Sequence, residues 1–95
     1  MLGGKGGIIE GTLRDEQTHQ IISQGKVTIS DARNPEVFVE VPVDKAAHFE
    51  FTVPRKAIRI SATAPGYSTT YFGNKEELTL SEGEHRRIGI ELKAR

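Results

Sequence analysis

Residues 58–64 read Ile58-Arg59-Ile60-Ser61-Ala62-Thr63-Ala64, and Pro65-Gly66 follows. Apolar side chains fall on every second position, with Arg59, Ser61 and Thr63 between them. Successive side chains of an extended chain point to opposite faces, so this run has one dry face and one solvated face. Proline and glycine then stop it.

The same period recurs outward from this run. Ile9, Gly11 and Leu13 alternate with Glu10, Thr12 and Arg14; Val27 and Ile29 with Lys26, Thr28 and Ser30. Val37, Val39, Val41 and Val43 alternate with Glu36, Phe38, Glu40 and Pro42, and Phe49, Phe51 and Val53 with His48, Glu50 and Thr52. Leu78 and Leu80 alternate with Glu77, Thr79 and Ser81, and Ile88, Ile90 and Leu92 with Arg87, Gly89 and Glu91. Seven runs with one apolar face each need a second layer to cover them. Two packed antiparallel sheets supply it, so the expected fold is all-β, a seven-stranded antiparallel two-sheet sandwich.

Turn residues sit where this architecture needs them. Arg33-Asn34-Pro35, Asp44-Lys45-Ala46-Ala47, Pro54-Arg55-Lys56, Pro65-Gly66 and Glu82-Gly83-Glu84 separate or close the runs. The longer connections, residues 14–25 and 65–76, suit strands that change sheet and are where a binding surface is expected. Helix-like windows at residues 15–22 and 74–80 are short and uncapped.

At 95 residues the chain holds one domain, and folding would bury roughly 64% of its surface. The N-terminal Met1-Leu2-Gly3-Gly4-Lys5-Gly6-Gly7 reads as a flexible leader over residues 1–7, with the domain proper at 8–95. Thirteen Lys plus Arg balance thirteen Asp plus Glu, which argues against nucleic-acid partners. No apolar run is long enough for a spanning helix, so membrane insertion is not expected. With no cysteine, disulfides, thiolate metal sites and cysteine nucleophiles are excluded.

The order of these motifs resembles a known family. Gly11-Thr12-Leu13-Arg14-Asp15 with Gly25-Lys26-Val27-Thr28-Ile29 is similar to the opening of carboxypeptidase regulatory-like domains. Asp44 with Phe49-Glu50-Phe51 resembles their central hairpin. Val53-Pro54 with residues 58–67, ending Ala64-Pro65-Gly66-Tyr67, resembles their most specific segment, and residues 78–92 resemble their last two strands. The resemblance implies a prealbumin-like (transthyretin-like) sandwich acting as a non-catalytic module of extracellular or cell-envelope proteins. Related sandwiches bind glycans. Ala47 and Lys56 stand where the family carries glycine, and Ile58 where it carries tyrosine. Alanine and lysine avoid positive φ, so those turns are expected to be of another type. An immunoglobulin or fibronectin-like sandwich shares the strand count, but the core tryptophan and cysteine pair of an immunoglobulin domain are missing.

Catalytic chemistry is not legible. His19, His48 and His85 lie far from one another in sequence and read as solvated surface groups, with no metal or cofactor expected. Tyr67 and Tyr71 have no histidine at short range, against an iron site of the tyrosine–histidine kind. No serine has a nucleophile-elbow context and no calcium or phosphate loop is present. No Asn in the last strand could supply an isopeptide crosslink. Asp15-Glu16, Glu76-Glu77 and Glu82/Glu84 read as solvated charge, Asp31 and Asp44 as turn-forming side chains. Arg86 and Arg87 point to opposite faces and discourage strand addition at an edge.

One stretch has binding character, Tyr67-Ser68-Thr69-Thr70-Tyr71-Phe72-Gly73-Asn74-Lys75. Tyr67, Tyr71, Phe72 and Asn74 form the candidate ligand or partner surface, where aromatic faces over polar neighbours suit a sugar ring or a protein. The competing reading is that these rings close the end of the core. Phe38, between Glu36 and Glu40, is a second exposed aromatic, facing a neighbouring domain or simply solvent. The expected role is structural or protein-interacting, with neighbouring domains of a parent protein or another protein as partners. Carbohydrate binding through residues 67–75 is the alternative, with a glycan as partner, and an enzyme is not expected.

Overall fold

The computed structural model describes residues 5–34, 36–54, 56–74 and 77–95. Its strands are β1 (Lys5–Asp15), β2 (Lys26–Asp31), β3 (Phe38–Pro42), β4 (His48–Pro54), β5 (Ile58–Thr63), β6 (Thr70–Tyr71) and β7 (His85–Leu92). A three-stranded sheet ordered β4-β1-β7 packs on a four-stranded sheet ordered β3-β2-β5-β6. The alternation does what the sequence requires of it. Ile9, Leu13, Val27, Phe49, Val53, Ile58, Ile60, Ala62, Ile90 and Leu92 point between the sheets and are buried. Phe49 and Phe51, two residues apart on the inner face of β4, meet edge-to-face with centroids 5.7 Å apart.

Not every ladder is antiparallel. β1 pairs with β4 antiparallel but with β7 parallel, Ile8 to Asp15 against His85 to Leu92. First and last strands thus lie side by side. Local alternation carries no strand direction, so this pairing was not legible in the sequence. It brings backbones close at two glycines. A Cβ on Gly11 would collide with the Ile88 carbonyl oxygen and approach the Phe49 ring. One on Gly7 would strike the Glu84 carbonyl oxygen. Three residues of the expected leader, 5–7, fall within the described chain. Lys5, Gly6 and Gly7 belong to β1, Gly83 N–H donates to the Gly6 carbonyl at 3.0 Å, and residues 1–4 lie outside the described residues.

One run behaves differently from its pattern. Leu78 and Leu80 are buried as alternation requires. Residues 77–81 nevertheless pair only once, Leu78 exchanging two 2.8 Å backbone bonds with Ile58. An extended segment crossing from one sheet to the other buries alternate side chains without forming a ladder. The sixth strand instead lies in the expected loop, Thr70–Tyr71, paired with Ala62 and Ser61 of β5.

The turn after β3 also departs from expectation. Ala47 keeps the left-handed conformation, φ 61°, that a glycine would adopt freely. Neighbouring bonds hold it there. Ala47 N–H donates to the Asp44 carbonyl at 2.8 Å, its own carbonyl accepts from Leu13 N–H at 3.0 Å, and Asp44 Oδ1 accepts the Ala46 and His48 amides at 2.9 Å each. The methyl group is fully buried. Two terms therefore oppose each other. A left-handed alanine costs roughly 1–2 kcal/mol. A buried methyl contributes about 0.8 kcal/mol, and glycine loses about 0.5–1 kcal/mol more chain entropy. Ala47→Gly should leave the urea midpoint nearly unchanged, whereas Ala47→Val, β-branched and overpacked, should destabilise by at least about 2 kcal/mol. Gly11→Ala should also destabilise by about 1–3 kcal/mol by prising β1 from β7. Equilibrium unfolding in urea measures all three.

Candidate functional site

The residues singled out in the 67–75 segment lie in different surroundings. Tyr67 turns inward at the end of the sandwich and packs against the core. Its hydroxyl donates to Asp15 Oδ2 at 2.7 Å, across 52 residues of sequence. Its carbonyl accepts from Arg95 Nε at 3.2 Å, and Ser68 N–H donates to the Lys93 carbonyl at 2.9 Å. Tyr67 is therefore a latch joining the Pro65-Gly66 turn, the end of β1 and the C-terminal segment. Phe72 also packs against the core. Asn74 closes a short 3-10 turn, Phe72–Asn74, and its side chain lies outside the described residues. Tyr71 stays exposed, at 43%. It sits opposite Ser61, whose neighbours Ile60 and Ala62 are buried, so its ring stands on the outer face of the four-stranded sheet.

The Asp15 carboxylate is more than solvated charge. Its Oδ1 accepts the Gln17 and Thr18 amides at 2.8 and 3.0 Å while Oδ2 holds Tyr67. The tyrosine hydrogen bond, then the two amides, hold its pKa below the ordinary range; the same bond raises the Tyr67 phenol above 10.0. Glu84 likewise accepts Ser81 N–H at 2.9 Å and pairs with Arg86 at 2.6 Å. Asp31 and Asp44 serve turns as their positions imply.

A second cluster gathers on the outer face of the three-stranded sheet, and sequence reasoning missed it. Glu10 on β1 lies opposite Glu50 of β4 and Arg87 of β7. Arg87 Nε donates to Glu10 Oε1 at 2.7 Å; His85 Nε2 approaches Oε2 at 3.1 Å and His48 Nε2 at 3.9 Å. His48 and His85 are 37 positions apart, and only the β4-β1-β7 order sets them on two sides of one carboxylate. With Gly11, Thr12 and Ile88, Glu10, His48 and Arg87 line a shallow depression of about 300 Å³. Among the described residues no group of three or more His, Asp or Glu side chains is arranged to hold a metal ion. Arg87 thereby pairs β7 with β1, and His48 of β4 flanks the same carboxylate. His19 is elsewhere, in a left-handed turn 3.5 Å from Glu91.

Glu10 carries a depressed pKa, caused first by the His85 hydrogen bond and then by Arg87. A carboxylate whose folded pKa lies below its unfolded value stabilises the fold above the unfolded value, 4.5 for Glu10, and loses that contribution as pH falls through the folded one. Glu10→Gln should therefore make the acid limb of the stability curve shallower below about pH 4.5, read by thermal melts from pH 2 to 7. A spectrophotometric titration should show one of the two tyrosines ionising above its ordinary value, and Tyr67→Phe should remove that late phase.

A third feature lies at the sheet margin. β3 is an edge strand. Val39 and Val41 are in register with the buried Ile29 and Val27 of β2, so Val37, Val39 and Val41 face the core side of their sheet. The opposing sheet is one strand narrower. Val37 and Val39 remain 53% and 59% exposed, and Phe38 on the outer face 54%. The sequence reading placed these valines on a dry face. The overhang, which depends on the width of the opposite sheet, leaves two of them wet.

No family model matches the chain, and the curated proteins hold no match. Solved structures do resemble it. Wild-type catechol 1,2 dioxygenase of Acinetobacter radioresistens aligns with 98% of the chain at 12% identity and a TM-score of 0.67. An alanine-to-glycine variant of that enzyme aligns with 98% at 13% identity and a TM-score of 0.69. The Bacillus anthracis TIE protein aligns with 93% at 20% identity and a TM-score of 0.62. This chain spans 53% of the dioxygenase chains and 17% of the TIE protein chain. At these identities the likeness is one of architecture, and it establishes the β-sandwich fold.

Proposed function

We propose that this chain is a non-catalytic accessory β-sandwich of the carboxypeptidase regulatory-like kind, working as a protein-interaction module in a larger extracellular or cell-envelope protein. The observation that carries the reading is the apolar overhang of β3. Val37, Phe38 and Val39 are each more than half exposed, adjacent, and on both faces of one free sheet edge. Scattered apolar side chains on a surface are ordinary, whereas a contiguous group on an unpaired edge is where proteins meet. The solved neighbours, which extend well beyond the aligned region, support a fold used inside longer chains.

A second reading follows from Tyr71. Its exposed ring shares the outer face with Ser61 and Thr28, paired in register across β6, β5 and β2. A flat hydroxyl-lined face with an aromatic at one edge suits stacking on a sugar ring. The glycan reading thereby moves from the 67–75 loop to the sheet face.

The two readings separate by experiment. Hydrogen exchange should show the Phe38 and Glu40 amides of the dilute isolated chain exchanging fast, and slowing when a protein partner covers the β3 edge. Unchanged exchange, together with glycan-array binding abolished by Tyr71→Ala, would establish the carbohydrate reading instead.

A further inference from the structure

We infer that the partner of the β3 edge is a second copy of this chain, joined by antiparallel β3–β3 pairing about a two-fold axis at Val39. The inference rests on the interaction-module reading above and names its partner.

Backbone parity makes the case first. Val37 O accepts from Asp31 N–H at 3.0 Å and Val43 N–H donates to Gly25 O at 3.1 Å, so odd-numbered residues direct their polar groups toward β2. The even-numbered Phe38 and Glu40 therefore direct theirs to the free edge, because an antiparallel strand alternates sides. Pro42, next in that series, has no N–H. The edge thus offers two donors, at positions 38 and 40, and carbonyls at the same positions. Antiparallel pairing centred on Val39 sets Phe38 against Glu40 of the second copy and Glu40 against Phe38. Both donors and both acceptors on each side are then satisfied, with none displaced.

Side chains agree with that register. Val37, Val39 and Val41 are placed symmetrically about Val39 on the inner face, while Phe38 and Glu40 alternate between them on the outer face. Val39 meets its own counterpart at a close non-hydrogen-bonded position, and Val37 meets Val41. All six valines lie on the inner face, where they fill the overhangs left by the narrower sheets. On the outer face the two Phe38 rings stand diagonally, within reach of one another. Charge agrees as well. Glu40 is neutralised by Lys26 of its own chain at 3.4 Å, so the two Glu40 side chains do not meet as bare charges. Lys26 lies beside Pro42, which in this register faces Glu36 of the second copy, so opposite charges share the outer face.

Two of the other edges, β6 and β7, are less suited. β6 has two residues, and β7 carries Arg86 and Arg87. β3 has no Lys or Arg between residues 36 and 42.

Five residues per copy make a small interface, below about 1,200 Å², in the range of weak and transient encounters, so the association is expected to depend on concentration. Sedimentation equilibrium from 5 to 500 µM should show the 10.5 kDa chain passing to twice that mass. Val39→Lys, at an exposed position that the fold tolerates, should weaken association at least tenfold with an unchanged circular-dichroism spectrum. Cysteine trapping tests the register in a chain that has no cysteine. Val39→Cys should crosslink with itself under mild oxidation, whereas Val37→Cys and Val41→Cys should crosslink only when mixed. A monomer at every concentration, or self-crosslinking at position 37 equal to that at 39, would overturn the two-fold pairing. Concentration separates this from the wider reading. Amide protection at Phe38 and Glu40 that rises with concentration marks a second copy. Protection that appears only within a longer polypeptide refutes the second copy but keeps the interaction module, and protection in neither case refutes both.

Discussion

The parallel ladder between β1 and β7 is the constraint on which this architecture depends. It places the last strand beside the first and makes β1 the centre of its sheet, hydrogen-bonded to β4 on one side and β7 on the other. Parallel neighbours cannot be joined by a tight turn, so the chain must travel through the other sheet between them. Strands β2, β3, β5 and β6 are that journey, and their inward side chains supply the other half of the core. Gly7 and Gly11 permit the approach, since a Cβ at either would meet a carbonyl oxygen of the strand or turn alongside.

Both surface features follow from this sheet. Because β1 lies between β4 and β7, Glu10 sits at the middle of the outer face with His48 on one flank and Arg87 and His85 on the other. Because this sheet has three strands against four and ends at β4 on the side of β3, the β3 valines remain partly wet. Charge pairing on one face and apolar exposure at one margin thus have the same cause. The ion pairs, being solvated, tie strands without contributing much stability. The apolar margin is the part that another molecule can improve.

The interior and the turns were largely readable in advance. Ile9, Phe49, Ile60 and Ile90 declare their inward direction by parity alone, and Asp31 and Asp44 declare their turns by residue type. Asp15 looked like surface charge, because nothing local reveals that Tyr67 would come within hydrogen-bonding distance. Tyr67 belonged to an aromatic stretch suited to ligand binding, yet a carboxylate 52 residues away turned its ring inward. Tyr71, four residues later, keeps the exposed character the stretch promised. Ala47 shows the converse case, a residue in a conformation it disfavours because Asp44 and Leu13 hold both sides of its peptide.

What the amino-acid order determined alone is which side of each extended segment is apolar and where the chain turns. Side-chain parity and the conformational limits of proline, glycine and aspartate are local properties. What tertiary structure alone decided is strand adjacency: the β1–β7 pairing, the meeting of Glu10, His48, His85 and Arg87, and the three-against-four mismatch that uncovers β3. Those depend on which backbones exchange hydrogen bonds, and an alternating strand offers the same donors and acceptors to any neighbour.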